Sequence, residues 1–220
     1  MPRDTFQQEL DKLVTGVLAL GEQVEGSLEN MVKAMEERDA ELAGQKLGVD
    51  ASYKARGADI DRESMILQAR QAPVARDLRL LHTARAVTNH LVRSGTLCEH
   101  ICRAIAETAD CERDEDLEAT LIEMARTARD VFGEGLDVFK NGDVDRARDL
   151  QAKDDSVDLL YSETLTRIAS PFGGIGGATE WRTRTALAAH YLERIADHGV
   201  GIGGRTVFLA TGEPIKNARQ

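Results

Sequence analysis

Aromatic residues fill only 4 % of this 220-residue chain, and it has just four prolines and three cysteines. Sandwiches and barrels lean on aromatic and β-branched side chains, so this scarcity argues against both. Cys98, Cys102 and Cys111 cannot all pair within one chain, which disfavours a disulfide framework and favours a reducing compartment. Positive charge is also short, with 28 Lys and Arg against 38 Asp and Glu and a net charge of −10. A basic surface that tracks phosphates is therefore not expected, and nucleic acid is not expected as a partner. No apolar run approaches the roughly 18 residues of a membrane span. The opening MPRDTFQQEL lacks the apolar stretch of a signal peptide. The expectation is an acidic, cytoplasmic protein whose 42 % apolar residues suffice for a core.

What is abundant is helical periodicity. Leu10, Leu13, Val14, Val17, Leu18, Val24, Leu28, Met31, Val32 and Met35 recur at steps of mostly three and four. That pattern predicts a first helix of about 33 residues with one apolar stripe, capped by Asp4 and ended by a turn at Arg38-Asp39. A second helix is predicted from about Ala40 to Arg70, and a third with Pro73 in its first turn. The pattern then restarts. Helices are predicted from Asp114 to Lys140, closed by Asn141-Gly142, from Val144 to Ser170, and from Glu180 to Thr211. PFGGIGGAT (Pro171–Thr179) reads as a flexible linker. At an offset of 104, Arg38-Asp39 meets Gly142-Asp143 and Asp50 meets Asp154; at 101, Leu91, Arg93 and Ile101 meet Leu192, Arg194 and Ile202. These coincidences and the matching helix lengths predict an internal duplication. The expected fold is all-α, six long helices in two tandem three-helix bundles covering 1–110 and 111–220.

Two acidic pairs stand out in the second half. Asp154 and Asp158, and likewise Glu193 and Asp197, are spaced i, i+4, so each pair presents two carboxylates on one helix face. Like charges so placed destabilise a helix by about 0.2–0.5 kcal/mol. Where two such pairs face each other across a bundle, four hard oxygen ligands converge and a cation relieves the repulsion. With 38 acids in the chain, many i, i+4 acid pairs are ordinary solvated faces. Glu193 and Asp197 are singled out because they flank the apolar stripe Leu192, Ile195, Gly199, Ile202 instead of opposing it.

YLERIADH (Tyr191–His198), followed by GRTVFLATGE (Gly204–Glu213), resembles the C-terminal signature of the PhoU family of phosphate-uptake regulators. QAPVARDLRLL (Gln71–Leu81) resembles that family's other hallmark, and KDDSVDLLY (Lys153–Tyr161) its acidic stretch on the partner helix. The resemblance implies a six-helix, two-bundle fold with metal clusters held by E/D-x-x-x-D motifs. It also implies repression of phosphate uptake through contacts with a transporter ATPase subunit, a sensor kinase, or both. By that resemblance the metal ligands are Asp154, Asp158, Glu193 and Asp197, for iron, zinc, manganese or magnesium. A homodimer is expected, reaching the membrane only through its partners. The first repeat departs from the pattern: Val92, Thr96 and Leu97 replace Glu, Asp and His, and Lys54 replaces the second acid after Asp50. One metal cluster is therefore expected, in the second repeat.

The alternatives are a di-metal oxidase or ferritin-like bundle, a regulator of a different transporter, and a structural dimerisation module without metal. Ferritin-like sites use Glu-x-x-His, and neither Glu180 nor Glu193 has a histidine three residues on. No G-x-S-x-G occurs, so no catalytic nucleophile is assigned. Cys98 and Cys102, near His90 and His100, read as core residues before zinc ligands. His198 reads either as a partner orienting a ligand or as a surface residue. Gly199, Gly201, Gly203 and Gly204 inside a helix predict close packing, within the chain or across a dimer. Arg70, Arg76 and Arg79 around Pro73 offer either an anion site at a helix start or ion pairs with Asp77 or Glu63.

Overall fold

The computed structural model describes residues 3–170 and 177–213. Within them, seven helices follow in order: α1 (Arg3–Glu37), α2 (Ala40–Gly44), α3 (Asp50–Gln71), α4 (Ala75–Glu107), α5 (Glu115–Asn141), α6 (Val144–Ala169) and α7 (Gly177–Thr211). No strand occurs among the described residues. Helices α1, α3 and α4 pack as one bundle and α5, α6 and α7 as another. The bundles join through α4 against α7 and α1 against α5. The buried stripe of α1 continues into that of α5, so one apolar core runs through both bundles.

Helix starts follow local chemistry. Asp39, Asp114 and Asp143 are N-caps whose carboxylates accept from the N–H groups of Leu42, Leu117 and Arg146 at 2.9, 3.1 and 3.1 Å. The duplication is visible in the backbone itself. Arg38 (φ 53°) and Gly142 (φ 67°) each turn left-handed immediately before a capping aspartate. Gly142 closes α5 as its sequence predicts, and Gly212 (φ 80°) follows the last residue of α7.

Four boundaries differ from expectation. The predicted second helix is broken into α2 and α3, with residues 45–49 in turns and Gly48 at φ 83°. Glycine reaches that left-handed region without steric penalty, and the chain bends there. Pro73 lies ahead of α4 instead of in its first turn. Its ring disfavours right-handed helix at Ala72, which adopts φ 43°, and the helix starts only at Ala75. Asp4 sits inside the first turn of α1, where its charge favours the helix dipole, and is not the cap. Of the predicted linker Pro171–Thr179, residues 171–176 lie outside the described residues and 177–179 are helical.

α7 is the central rod of the second bundle, and its glycines explain how. A side chain at Gly199 would meet the α5 backbone, 2.6 Å from the Val131 carbonyl oxygen and 2.8 Å from Phe132 Cα. One at Gly201 would meet the His90 ring of α4 at 2.6 Å, and one at Gly203 would meet Leu150 of α6 at 2.6 Å. The expected close packing is thus found within the chain. Three alternate glycines admit three different neighbours.

Candidate functional site

Asp154 lies on the inner face of α6, in line with Leu150 and Val157, and is 2 % exposed. Gln151 Nε2 donates to its Oδ2 at 3.4 Å. Asp158, one turn on, is half-buried. Across on α7, Glu193 is half-buried with Oε2 3.8 Å from His190 Nδ1, and Asp197 is exposed. α6 and α7 pack side by side, so the fold puts both acidic pairs on adjacent helices. Each of the four acids makes a polar or electrostatic contact of its own. Among the described residues, no group of three or more His, Cys, Asp or Glu side chains is arranged to hold a metal ion.

The matching positions of the first repeat are occupied by an ion pair. Lys54 Nζ donates to Asp50 Oδ2 at 2.5 Å, where the second repeat has Asp158 beside Asp154. Glu99, buried on α4, accepts from the Asp50 N–H and from Arg103 Nη2, both at 3.1 Å. Glu99 was not among the residues singled out from the sequence. Its i, i+4 relation to Arg103 was the available signal.

Where α4 meets α7, the rings of His90 and His198 stand 5.3 Å apart at 58°, and Ser94 Oγ lies 2.9 Å from His198 Nδ1. His198 is therefore buried in the joint between the repeats, not on the surface. Burial pushes the His90 imidazole down to about 4, helped by Arg205 and Arg93. Burial also pushes His198 down to about 3, with His90, Arg194 and Arg93 acting in the same direction. Both rings are neutral at pH 7. Ser94 carried no sequence signal, lying 104 positions from its partner.

Cys98 and Cys102 are buried free thiols, in keeping with core packing. Cys98 Sγ donates to the Ser27 carbonyl at 3.4 Å, and its thiol is pushed well up by its hydrogen bond with Cys102 and by burial. Arg79 Nε donates to the Leu209 carbonyl at 3.3 Å, tying the start of α4 to the last turn of α7. A second buried carboxylate was also missed. Glu118 of α5 receives Arg38 from the α1–α2 turn and Arg113 from the inter-repeat connection, both at 2.5 Å. It clamps the two repeats together at the end opposite Arg79's tie.

A duplicated three-helix unit with a shared core, and acids set on neighbouring rods, defines a class: a tandem helical-bundle scaffold. The comparisons sharpen it. The family model described as the PhoU domain matches twice, over residues 17–105 and 121–206. A phosphate-specific transport system accessory protein PhoU homolog from Clostridium acetobutylicum is 25 % identical over 98 % of each chain. A PhoU homolog 1 from Methanothermobacter thermautotrophicus is 30 % identical over 70 % of this chain and 71 % of its own. The crystal structure of PhoU from Pseudomonas aeruginosa matches with a TM-score of 0.81 at 26 % identity, over 94 % of this chain and all of that one. The phosphate transport system regulatory protein PhoU from Streptococcus pneumoniae shares the fold, with a TM-score of 0.85 over 96 % and 99 % of the two chains at 24 % identity. This chain belongs to the PhoU-domain family. Among its described residues, no helix is long and apolar enough to cross a membrane.

Proposed function

We propose that the protein is an accessory regulator of a phosphate transport system. It acts from the cytoplasm, as a homodimer, on the transporter's ATPase subunit, a sensor kinase, or both. The observation that carries this reading is the double family match, joined to full-length relatives whose names place them in phosphate-specific transport. A regulator of this kind works by docking.

A metal cluster in the second repeat is part of the proposal, with Asp154, Asp158, Glu193 and Asp197 as its holders. The donor chemistry fits a hard divalent or trivalent cation (iron, zinc, manganese or magnesium), because carboxylate oxygens suit such ions. Bound there, the ion supplies positive charge against the like-charged pairs on α6 and α7. Among the described residues no three of these groups are already arranged around one point, so loading would require them to rearrange. The first repeat is left out because Lys54 already neutralises Asp50.

Affinity capture from cells grown at high and at low phosphate tests the docking role. Recovery of a phosphate-transporter ATPase or its sensor kinase supports it, and recovery of an unrelated permease alone redirects it. Metal content after purification tests the cluster. Equal content in wild type and in the Glu193→Gln, Asp197→Asn variant removes the metal from the proposal.

A further inference from the structure

We propose that the seam between the C-terminal half of α4 and the N-terminal half of α7 binds a small planar molecule carrying one anionic group. It is independent of the docking role and of the acidic residues on α6. A cavity of about 260 Å³ opens there, between a helix of the first repeat and one of the second, lined by His100, Arg103, Arg184, Leu187, Ala188 and Tyr191 together with Ala104. In a chain where acids outnumber bases by 38 to 28, no carboxylate lines this cavity and two guanidinium groups do. Within the lining the only formal charges are these two guanidinium groups, whose N–H donors suit an anion.

The arginines are held in place from outside the cavity. Arg103 Nη2 meets Glu99 Oε1 at 3.1 Å, Arg184 Nη1 meets Glu107 Oε2 at 2.7 Å, and Arg184 Nη2 lies 3.9 Å from Glu180 Oε1. Each guanidinium has five N–H donors in a planar fork, so these contacts leave donors for a carboxylate or phosphate. The His100 and Tyr191 rings stand 5.5 Å apart at 54°, offering flat faces beside the apolar wall of Leu187, which is 45 % exposed. Ring faces and cations together recognise an aromatic anion. The volume sets the size: pockets for drug-sized ligands run from about 300 to 1,000 Å³, so this one, just under that range, takes an aromatic anion no larger than about a mononucleotide.

A reporter is built in. Trp181, the only tryptophan, lines a smaller void of about 40 Å³ that shares Arg184, Ala104 and Ala188 with the cavity. The full chain is titrated with AMP and with benzoate, and with adenosine and inorganic phosphate as half-ligands. Binding is read by Trp181 fluorescence and by equilibrium dialysis. The expected result is saturable binding of AMP or benzoate with a Kd of about 1 mM or tighter, and at least about tenfold weaker binding of adenosine and phosphate. Whichever of the two binds identifies phosphate or carboxylate as the anionic group. Arg184→Gln and Tyr191→Ala each weaken it by about tenfold or more at unchanged helicity; Leu187→Ala, on an exposed side chain of the cavity wall, gives a variant with little risk to folding. Absence of saturable binding by both methods, phosphate alone binding as tightly as AMP, or unchanged binding in all three variants overturns the proposal.

Discussion

Replacing Gly199 by alanine tests the crossing of α5 and α7 most directly. The added methyl carbon would stand 2.6 Å from the Val131 carbonyl oxygen, 2.8 Å from Phe132 Cα and 2.9 Å from Phe132 N. Carbon contacts are most favourable near 3.5–4.0 Å, so the helices must part locally by about 1 Å. All three atoms are backbone and cannot rotate away, which puts the cost at the upper end of the about 1–3 kcal/mol typical of overpacking. Alanine returns about 1 kcal/mol of helix propensity over glycine. The net is a destabilisation of about 2 kcal/mol. For a chain of this size that lowers Tm by about 4–8 °C. The control is Gly26→Ala on α1, where nothing lies within 4 Å and only propensity acts, so a gain of up to about 1 kcal/mol is expected. Urea unfolding followed by far-UV circular dichroism on both variants gives the comparison. A Gly199→Ala protein as stable as wild type would refute the close backbone crossing.

Glu118→Gln strands Arg113, which is 11 % exposed, and should cost about 3 kcal/mol, the lower end for a broken buried pair because Arg38 is half-exposed. Adding Arg113→Met should recover part of that loss in the same denaturation assay; no recovery would deny the clamp. Asp143→Ala removes the cap of α6 and should cost about 1 kcal/mol, measurable as a shift in urea midpoint. His90 and His198 are held neutral in the folded chain but titrate near 6.5 when unfolded. Above that value they add no pH dependence. As pH falls below 6.5 the unfolded chain takes protons the folded chain refuses. Stability should therefore drop toward about pH 4 for His90 and about pH 3 for His198, by at most about 1.4 kcal/mol per pH unit for each ring. His198→Gln should flatten the stability profile between pH 6.5 and 4, and an unaltered slope would count against the buried ring.

Helix ends were legible in part where a short-range signal governs them. Gly142 and Gly212 close their helices as spacing alone indicates, whereas the caps Asp114 and Asp143 act by the same short-range chemistry without having been singled out, and Asp4, read as a cap, is not one. The break between α2 and α3 leaves only a weak local signal, because isolated glycines such as Gly44 and Gly48 are tolerable within a helical pattern. The glycine run of α7 announced close packing without naming its neighbours. His198 could not be placed, because Ser94 and His90 reach it from another repeat.

The i, i+4 spacing of Asp154–Asp158 and of Glu193–Asp197 sets each pair on one helix face, a consequence of 3.6 residues per turn that needs no fold. The sequence by itself likewise determined the all-α class, the duplicated plan and the glycine closures of α5 and α7, since all rest on contacts within a turn or on a repeating apolar stripe. Tertiary structure alone decided which face of α7 meets α4, α5 or α6. It also buried Asp154 while leaving Asp197 in water, and brought Arg38 and Arg113 onto Glu118. Those outcomes depend on the rotation and crossing of whole helices, which the packing of the shared core sets and no local spacing encodes.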